Sequence, residues 1–310
     1  MGFPGLSEAV VGVEMVVADG SVVRIDEAHE PDLVPAVALG LGALGVVTEY
    51  ELQCVPAFLL TAHERPDRLS AVLDGLEARV RGADHFEFYW FPHTDRVLTK
   101  HNTRIDDLSA AAPLPGWRQR LDDDLLSNTV FEGLNRVARR APLAVPALNA
   151  VASRGLSERR YTDRAHRVFA TQRSVRFTET EFSVPIDQVG WVLQELRRWL
   201  RRSGERVAFP LEVRFAAPDD RWLSTSWGRE SAYIAVHQYH RASNEAWFSA
   251  FWDVVRGLGD ARPHWGKMHP LLHDDLRGLY PRMDEFVALR DRFDPERTFG
   301  NPHLERVLGR

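Results

Sequence analysis

The sequence predicts an α+β fold in which an antiparallel sheet is covered by helices. Strand-like and amphipathic helical segments occur in mixed order, without a strict strand–helix–strand alternation. Two strand segments, 211–215 and 233–239, place polar residues on one face and mainly aliphatic ones on the other. No internal repeat is visible at any period. At 310 residues, 44% hydrophobic and 27% charged, the chain has the content of a soluble globular protein of one large domain or two ordinary ones.

The elements follow in order. Residues 10–17 and 21–25 form a hairpin across the turn dipeptide Asp19-Gly20. Pro31 opens a helix of about two turns through Leu39. Gly40, Gly42 and Gly45 then precede a strand over 46–55, with Thr48, Tyr50 and Leu52 on one face. Leu69, Val72, Leu73 and Leu76 recur at helical spacing, predicting a helix over 69–80. Residues 86–91 are an aromatic strand ended by Pro92, and 105–160 reads as helices and loops lying over the sheet. A strand over 175–184 leads to a helix over 187–202, whose buried stripe is Val189, Val192, Leu193, Leu196 and Leu200 and which stops at Ser203-Gly204. Strands over 207–215 and 232–239 and helices over 246–258 and 283–293 complete the reading. The first 58 residues are too few for a comfortable independent domain, so the boundary is expected between a segment 1–58 and a segment 59–310.

Composition excludes several classes. A net charge of −5 argues against a general nucleic-acid binder. The single cysteine, Cys54, excludes an internal disulfide and reads as a small buried residue on its strand. The twelve histidines show no metal-ligand spacing, so no metal site is expected. No apolar run reaches the ~20 residues a bilayer needs, and the N-terminus lacks a basic leader with an apolar core. The expectation is a cytoplasmic protein. Of the 39 basic residues only Lys100 and Lys267 are lysines, leaving 37 arginines. In such a background a retained ammonium is a candidate for work a guanidinium cannot do.

Three constellations carry chemistry. Glu212 and Arg214 share a strand face and form a polarised pair able to orient a hydroxylated ligand, or an ordinary ion pair if that face is solvated. Tyr233, Ala235, His237 and Tyr239 share the face of another strand, as a cavity lining or as a polar rim. In the stretch 262–267, proline and glycine shape a loop in which His264 and Trp265 flank Lys267, whose amine suits stabilising developing negative charge. The cluster Gly40, Gly42, Gly45 is not a dinucleotide fingerprint, because the spacing is wrong and a strand follows.

Taken together, residues 10–20, 40–48, 88–95, 212–214, 264–267 and 299–304 resemble, in order, the FAD-linked sugar and polyol oxidases, the family of D-arabinono-1,4-lactone oxidase, L-gulonolactone oxidase and alditol oxidase. The stretch 264–267 is the most specific of the six. The resemblance implies the C-terminal part of a vanillyl-alcohol-oxidase-like (PCMH-type) FAD-binding domain in 1–58, followed by an antiparallel-sheet substrate domain in 59–310. It implies that Gly42, Gly45, Val46, Val47 and Thr48 lie against FAD. It also implies that Glu212, Arg214 and Lys267, with His237 and Tyr239, line the pocket at the flavin ring. The implied reaction oxidises a CH–OH group of a sugar lactone or polyol by hydride transfer to flavin, with O2 or another acceptor reoxidising it. Members of the family associate with membranes in some cases, but this sequence forms no anchor. The resemblance lacks the family's first flavin-binding subdomain, with its Gly-rich loop and the Ser/Gly/Thr-rich stretch that touches the ring. The expectation is therefore the C-terminal portion of such an oxidase, catalytic only with the missing part, whether it comes from a truncated gene model, a split gene whose partner chain supplies that subdomain, or a decayed paralogue. The alternative is a non-catalytic remnant acting as a binding module.

Overall fold

The computed structural model describes residues 3–119, 131–170 and 174–310. Two antiparallel sheets organise them. The first has the order β2-β1-β3, with β1 at Val10–Val16, β2 at Val22–Ile25 and β3 at Val46–Leu52. Gly20 turns the hairpin at a φ of 85°, a left-handed conformation that favours glycine. Between β2 and β3 the expected two-turn helix is a 3-10 turn at Pro31–Leu33 followed by α1, Val34–Val37. A proline in second position and the left-handed pair Leu41 and Gly42 (φ 53° and 72°) leave room for a single turn.

In β3 the pairing with β1 slips between Glu14 and Met15, leaving Thr48 as an extra residue. The alternation expected for Thr48, Tyr50 and Leu52 is therefore interrupted at Thr48. The strand stops at Leu52, with Gln53 N–H donating once more to Ala9 O at 2.8 Å. Cys54 lies beyond the strand's end and is exposed, which corrects the expectation of a buried thiol. β3 is an edge strand with little above it: Val46, Tyr50 and Leu52 are each about half exposed.

The second sheet has the order β11-β8-β10-β9-β5-β6-β4-β7, with every neighbouring pair antiparallel. Its strands are β4 (Leu59–Arg68), β5 (His85–Trp90), β6 (Arg96–Ile105), β7 (Arg159–Arg164), β8 (Phe177–Pro185), β9 (Leu211–Ala216), β10 (Ser231–Tyr239) and β11 (Arg262–Pro263). β4, β6 and β7 are not apparent in the sequence, because charged residues stand on both faces of β4 and β7, and in β6 Arg96, Lys100 and Arg104 alternate with a face made partly of Thr99, His101 and Thr103 rather than of apolar residues.

Helices α2 (Leu69–Asp74) and α3 (Leu76–Arg81) replace the single helix expected over 69–80. The break falls at Gly75, whose φ and ψ of −110° and 23° leave the helical region. In the expected helical stretch 105–160 lie α4 (Gly116–Gln119), α5 (Phe131–Arg140) and α6 (Val145–Arg154); residues 120–130 fall outside the described residues. α7 (Ala165–Phe169), α8 (Val189–Ser203), α9 (Glu245–Arg256), α10 (His273–Arg277), α11 (Met283–Phe293) and α12 (Pro302–Leu308) follow. The five-residue stripe of α8 is buried as its spacing predicts, and Gly204, at a φ of 76°, ends the helix. Phe182 of β8 meets Phe251 of α9 edge-on at 5.7 Å, so the apolar face of the sheet packs on these helices. Met15, Ile25 and Leu44 belong to the same hydrophobic core as Phe286 and Leu304, so both sheets and the C-terminal helices share one core.

Gly45 packs so closely on β1 that a Cβ would lie 2.7 Å from the Val16 carbonyl oxygen. Gly45→Ala should therefore lower stability by about 1–3 kcal/mol in a denaturant titration, with or without any cofactor.

Candidate functional site

Strand alternation gives the second sheet one apolar face against α8 and α9 and one charged face. On β8 the sequence FTETEFSVP sets Glu179, Glu181 and Ser183 on the charged side. Ala235 of β10 lies directly between Glu181 of β8 and Glu212 of β9. Its methyl group leaves space above it, and Arg214 fills that space. Arg214 Nη2 donates to Glu181 Oε1 at 2.8 Å, and its Nε lies 3.4 Å from Glu212 Oε1. Tyr89 of β5 donates its hydroxyl to the same Glu212 oxygen at 3.1 Å. The Glu181 side chain is 0% exposed and that of Glu212 8%, while Arg214 remains 46% exposed. A guanidinium with an open side is thus fixed by two buried carboxylates. Burial acts to lower the pKa of Arg214, but Glu181 and Glu212 outweigh it and raise it. The second Glu181 oxygen, Oε2, is buried and accepts no hydrogen bond.

Lys267 arrives from the opposite edge. β11 pairs with β8, and its Arg262 is anchored by hydrogen bonds to the carbonyls of Leu279 (2.9 Å) and Trp227 (2.8 Å). The loop then continues along the β8 edge: His264 N–H donates to Glu181 O at 2.9 Å and Met268 N–H to Glu179 O at 3.1 Å. Lys267 N–H closes a turn on His264 O at 3.0 Å, and Trp265 Nε1 donates to Leu223 O at 2.7 Å. This frame directs the Lys267 ammonium onto the Glu179 carboxylate. His237 sits across from Glu179 in register, with Nε2 3.4 Å from Glu179 Oε1. Its Nδ1 donates to the Pro210 carbonyl at 3.0 Å, a group that can only accept. Burial alone would raise the Glu179 carboxyl, but the hydrogen bonds from His237 and Lys267 overcome it and bring it down to about 2. Successive same-face positions on a strand are roughly 7 Å apart, so Lys267 on Glu179 and Arg214 on Glu181 occupy neighbouring rungs.

Two walls bound these groups. One is aromatic: Phe177 meets the His237 ring edge-on at 5.0 Å and Phe209 lies 5.5 Å from it. Tyr239 belongs to this wall; it is buried, and its hydroxyl donates to Glu132 Oε1 at 2.6 Å. Tyr239 is thus placed with Glu132 of α5, away from the Arg214 group. The other wall is the 219–229 loop, where Ser183 Oγ donates to Thr225 O at 2.8 Å and the Tyr233 hydroxyl contacts Thr225 Oγ1 at 2.6 Å.

The charged face continues outward. Glu87 of β5 stands beside Arg214 in register, and Lys100 of β6 beside Glu87, 3.6 Å between Nζ and Oε1. Burial pushes the Glu87 carboxyl up, with Glu212 adding to the shift and Lys100 opposing it. Lys100 and Lys267 therefore flank the Arg214 group on the same face. Sequence reasoning missed Glu179, Glu181 and Glu87; the acidic alternation of β8 and the rarity of lysine were the available signals.

The positions expected at a cofactor lie on the first sheet. Gly42 holds a left-handed turn, Gly45 packs on Val16, Val46 is exposed at the β3 edge next to Val47, and Thr48 Oγ1 donates to Glu14 Oε1 at 2.8 Å.

Ala235→Leu should wedge Arg214 away from Glu181 and lower stability by about 1–3 kcal/mol; a crystal structure of the variant and its denaturant midpoint check both. Glu179 predicts an acid response. Its folded pKa of about 2 lies below the unfolded 4.5, so its stabilisation is complete above 4.5 and is lost as pH falls towards 2. Stability of Glu179→Gln should accordingly fall less steeply than that of the parent across this range.

Comparison with known proteins agrees with this architecture. The D-arabinono-1,4-lactone oxidase pattern matches residues 50–307. An L-gulono-1,4-lactone dehydrogenase of Mycobacterium tuberculosis is 41% identical over 307 residues, covering 99% of this chain and 70% of its own length. The L-gulonolactone oxidase of Scyliorhinus torazame is 29% identical (98% of this chain, 69% of its own), and the alditol oxidase of a Streptomyces species 30% (98% and 68%). Among solved structures, cholesterol oxidase from B. sterolicum superposes with a TM-score of 0.74 at 16% identity, covering 99% of this chain and 71% of that one, a likeness of fold. Among the described residues no helix is long and apolar enough to cross a membrane. The chain belongs to the D-arabinono-1,4-lactone oxidase family of FAD-linked sugar and polyol oxidases.

Proposed function

We propose that the protein oxidises a CH–OH group of an aldonolactone or polyol with FAD, at the charged face between the two walls. The observation that carries this reading is the juxtaposition, on adjacent rungs, of two held cations that keep open sides: Arg214, 46% exposed, and Lys267, 28% exposed. Two observations suit a flavin. Among the described residues the outer edge of β3 around Val46 and Val47 has no strand partner, so its backbone groups are able to meet the adenosine and phosphate portion. The open side of Arg214 leaves donor capacity on the charged face for a hydroxylated ligand.

When bound, FAD supplies a hydride acceptor. The chain's own residues bind and polarise. Arg214, locked by Glu181 and Glu212, donates to a substrate oxygen from a fixed orientation, so no reorganisation is needed as charge develops there. Lys267, held on Glu179, places its ammonium where negative charge gathers on the substrate oxygen or the ring edge. Glu179 stays ionised at neutral pH and preserves that pair. Glu87, its carboxyl raised by burial and standing beside Arg214, is the group of the face suited to hold the hydroxyl proton. The aromatic wall around His237 excludes water from one end.

FAD titrated into the purified protein should be retained, giving a yellow complex that an aldonolactone bleaches under anaerobic conditions. A colourless protein that quenches no flavin fluorescence would refute the reading. O2 uptake compared with dye reduction then identifies the electron acceptor. In the flavin-loaded protein, Lys267→Ala should lower kcat by about 100-fold or more; the unfolding midpoint should fall as well, because Glu179 keeps only His237 beside it, with the variant still folded at the assay temperature, and equal turnover would remove Lys267 from the site.

A further inference from the structure

We infer that, with Arg214 as the proposed donor to the substrate oxygen, Lys100 is a positioning residue: it holds the Glu87 carboxylate to its own side and so keeps the open donor of Arg214 free for substrate. Register lines up charges of alternating sign across five strands: Arg159 of β7, Glu64 of β4, Lys100 of β6, Glu87 of β5 and Arg214 of β9. Side chains paired in this way have Cβ atoms roughly 5 Å apart, so Glu87 stands within reach of a cation on either side. It pairs with one of them. Lys100 Nζ lies 3.6 Å from Glu87 Oε1, and among the described residues no other cation comes within 4.0 Å of that carboxylate.

The rest of the row explains this choice. Glu64, on the far side of Lys100, is already satisfied: its Oε2 accepts from Arg159 Nε at 2.7 Å and its Oε1 from the Tyr161 hydroxyl at 3.4 Å. The Lys100 ammonium is tethered to the Val168 carbonyl of α7 at 3.0 Å, and its side chain is 11% exposed, so it acts through Glu87 and not on a ligand directly. Arg214 is turned towards the next rung, with Nη2 on Glu181 and Nε beside Glu212, which leaves Nη1 without a hydrogen bond. Glu87 stands in register with Arg214 and makes no hydrogen bond of its own. It is therefore the chain's own competitor for that donor, since a carboxylate beside a free guanidinium N–H forms a charge-assisted bond unless another cation holds it. Against burial and the like charges of Glu212 and Glu64, Lys100 acts more strongly than Arg214 in keeping the Glu87 carboxyl ionised.

The test pairs a crystal structure of flavin-free Lys100→Met with steady-state kinetics of the flavin-loaded variant, using L-gulono-1,4-lactone as the probe. The expected structure has the Glu87 carboxylate at hydrogen-bond distance from Arg214 Nη1, and the expected KM is raised about tenfold. Adding Glu87→Gln to Lys100→Met should return KM to the value of Glu87→Gln alone, because an uncharged amide competes weakly for the guanidinium. A merely structural loss would not be reversed by a second substitution. Glu87 standing clear of Arg214 in the variant, or a KM equal to that of the parent, would overturn the proposal. Should Lys100→Met fail to fold, Lys100→Gln decides, since its side chain is uncharged yet keeps an N–H for the Val168 carbonyl. A parent protein that takes up no flavin, or oxidises no lactone, would refute the oxidase reading alone, and the position of Glu87 in the flavin-free variant would still decide whether Lys100 holds it.

Discussion

A carboxylate buried in a sheet must find a cation, because an unpaired charge in that environment costs more than the fold can spare. Glu181 and Glu212 are both buried on the charged face, and Arg214 bridges them beside the small residue Ala235, which pairs with both. That single clamp orders the middle of the sheet. It fixes the guanidinium, draws Tyr89 in from the neighbouring strand through Glu212, and leaves one side of Arg214 open. The same logic repeats one rung away, where Glu179 is held ionised by His237 and Lys267. The chemistry ascribed to the site follows from what these charges need in order to be buried at all.

The two lysines show how composition and position meet. In a chain that otherwise uses arginine for its cations, both ammonium groups stand on the charged face, on either side of the clamp. Lys100 reaches the Val168 carbonyl at 3.0 Å and Glu87 at 3.6 Å, while Lys267 reaches Glu179.

Several elements were legible in the sequence because their periodicity was strong. The stripe of α8, the hairpin around Gly20 and the aromatic strand β5 follow directly from residue spacing. The pairing of Glu212 with Arg214 followed from the two-residue period of a strand. Other elements were illegible for definite reasons. β4 and β7 carry charges on both faces, and Glu64 of β4 meets Arg159 of β7 at 2.7 Å; such cross-strand pairing leaves no mark in a single segment. Cys54 was misjudged because its apolar neighbours suggest burial, whereas β3 is an edge strand.

The sequence by itself determined the class of fold, the faces of its strongly periodic strands and helices, and the residue types that carry charge. Only the tertiary structure decided which charges meet. Glu179 and Glu181 become partners of Lys267 and Arg214 because antiparallel register sets β8 beside β10, and β10 beside β9, around Ala235. Tyr239, on the same strand face as His237, is drawn instead to Glu132 of a distant helix. Register and packing are long-range properties: a strand's own residues fix which way each side chain points, but the identity of its neighbour depends on how the whole sheet assembles.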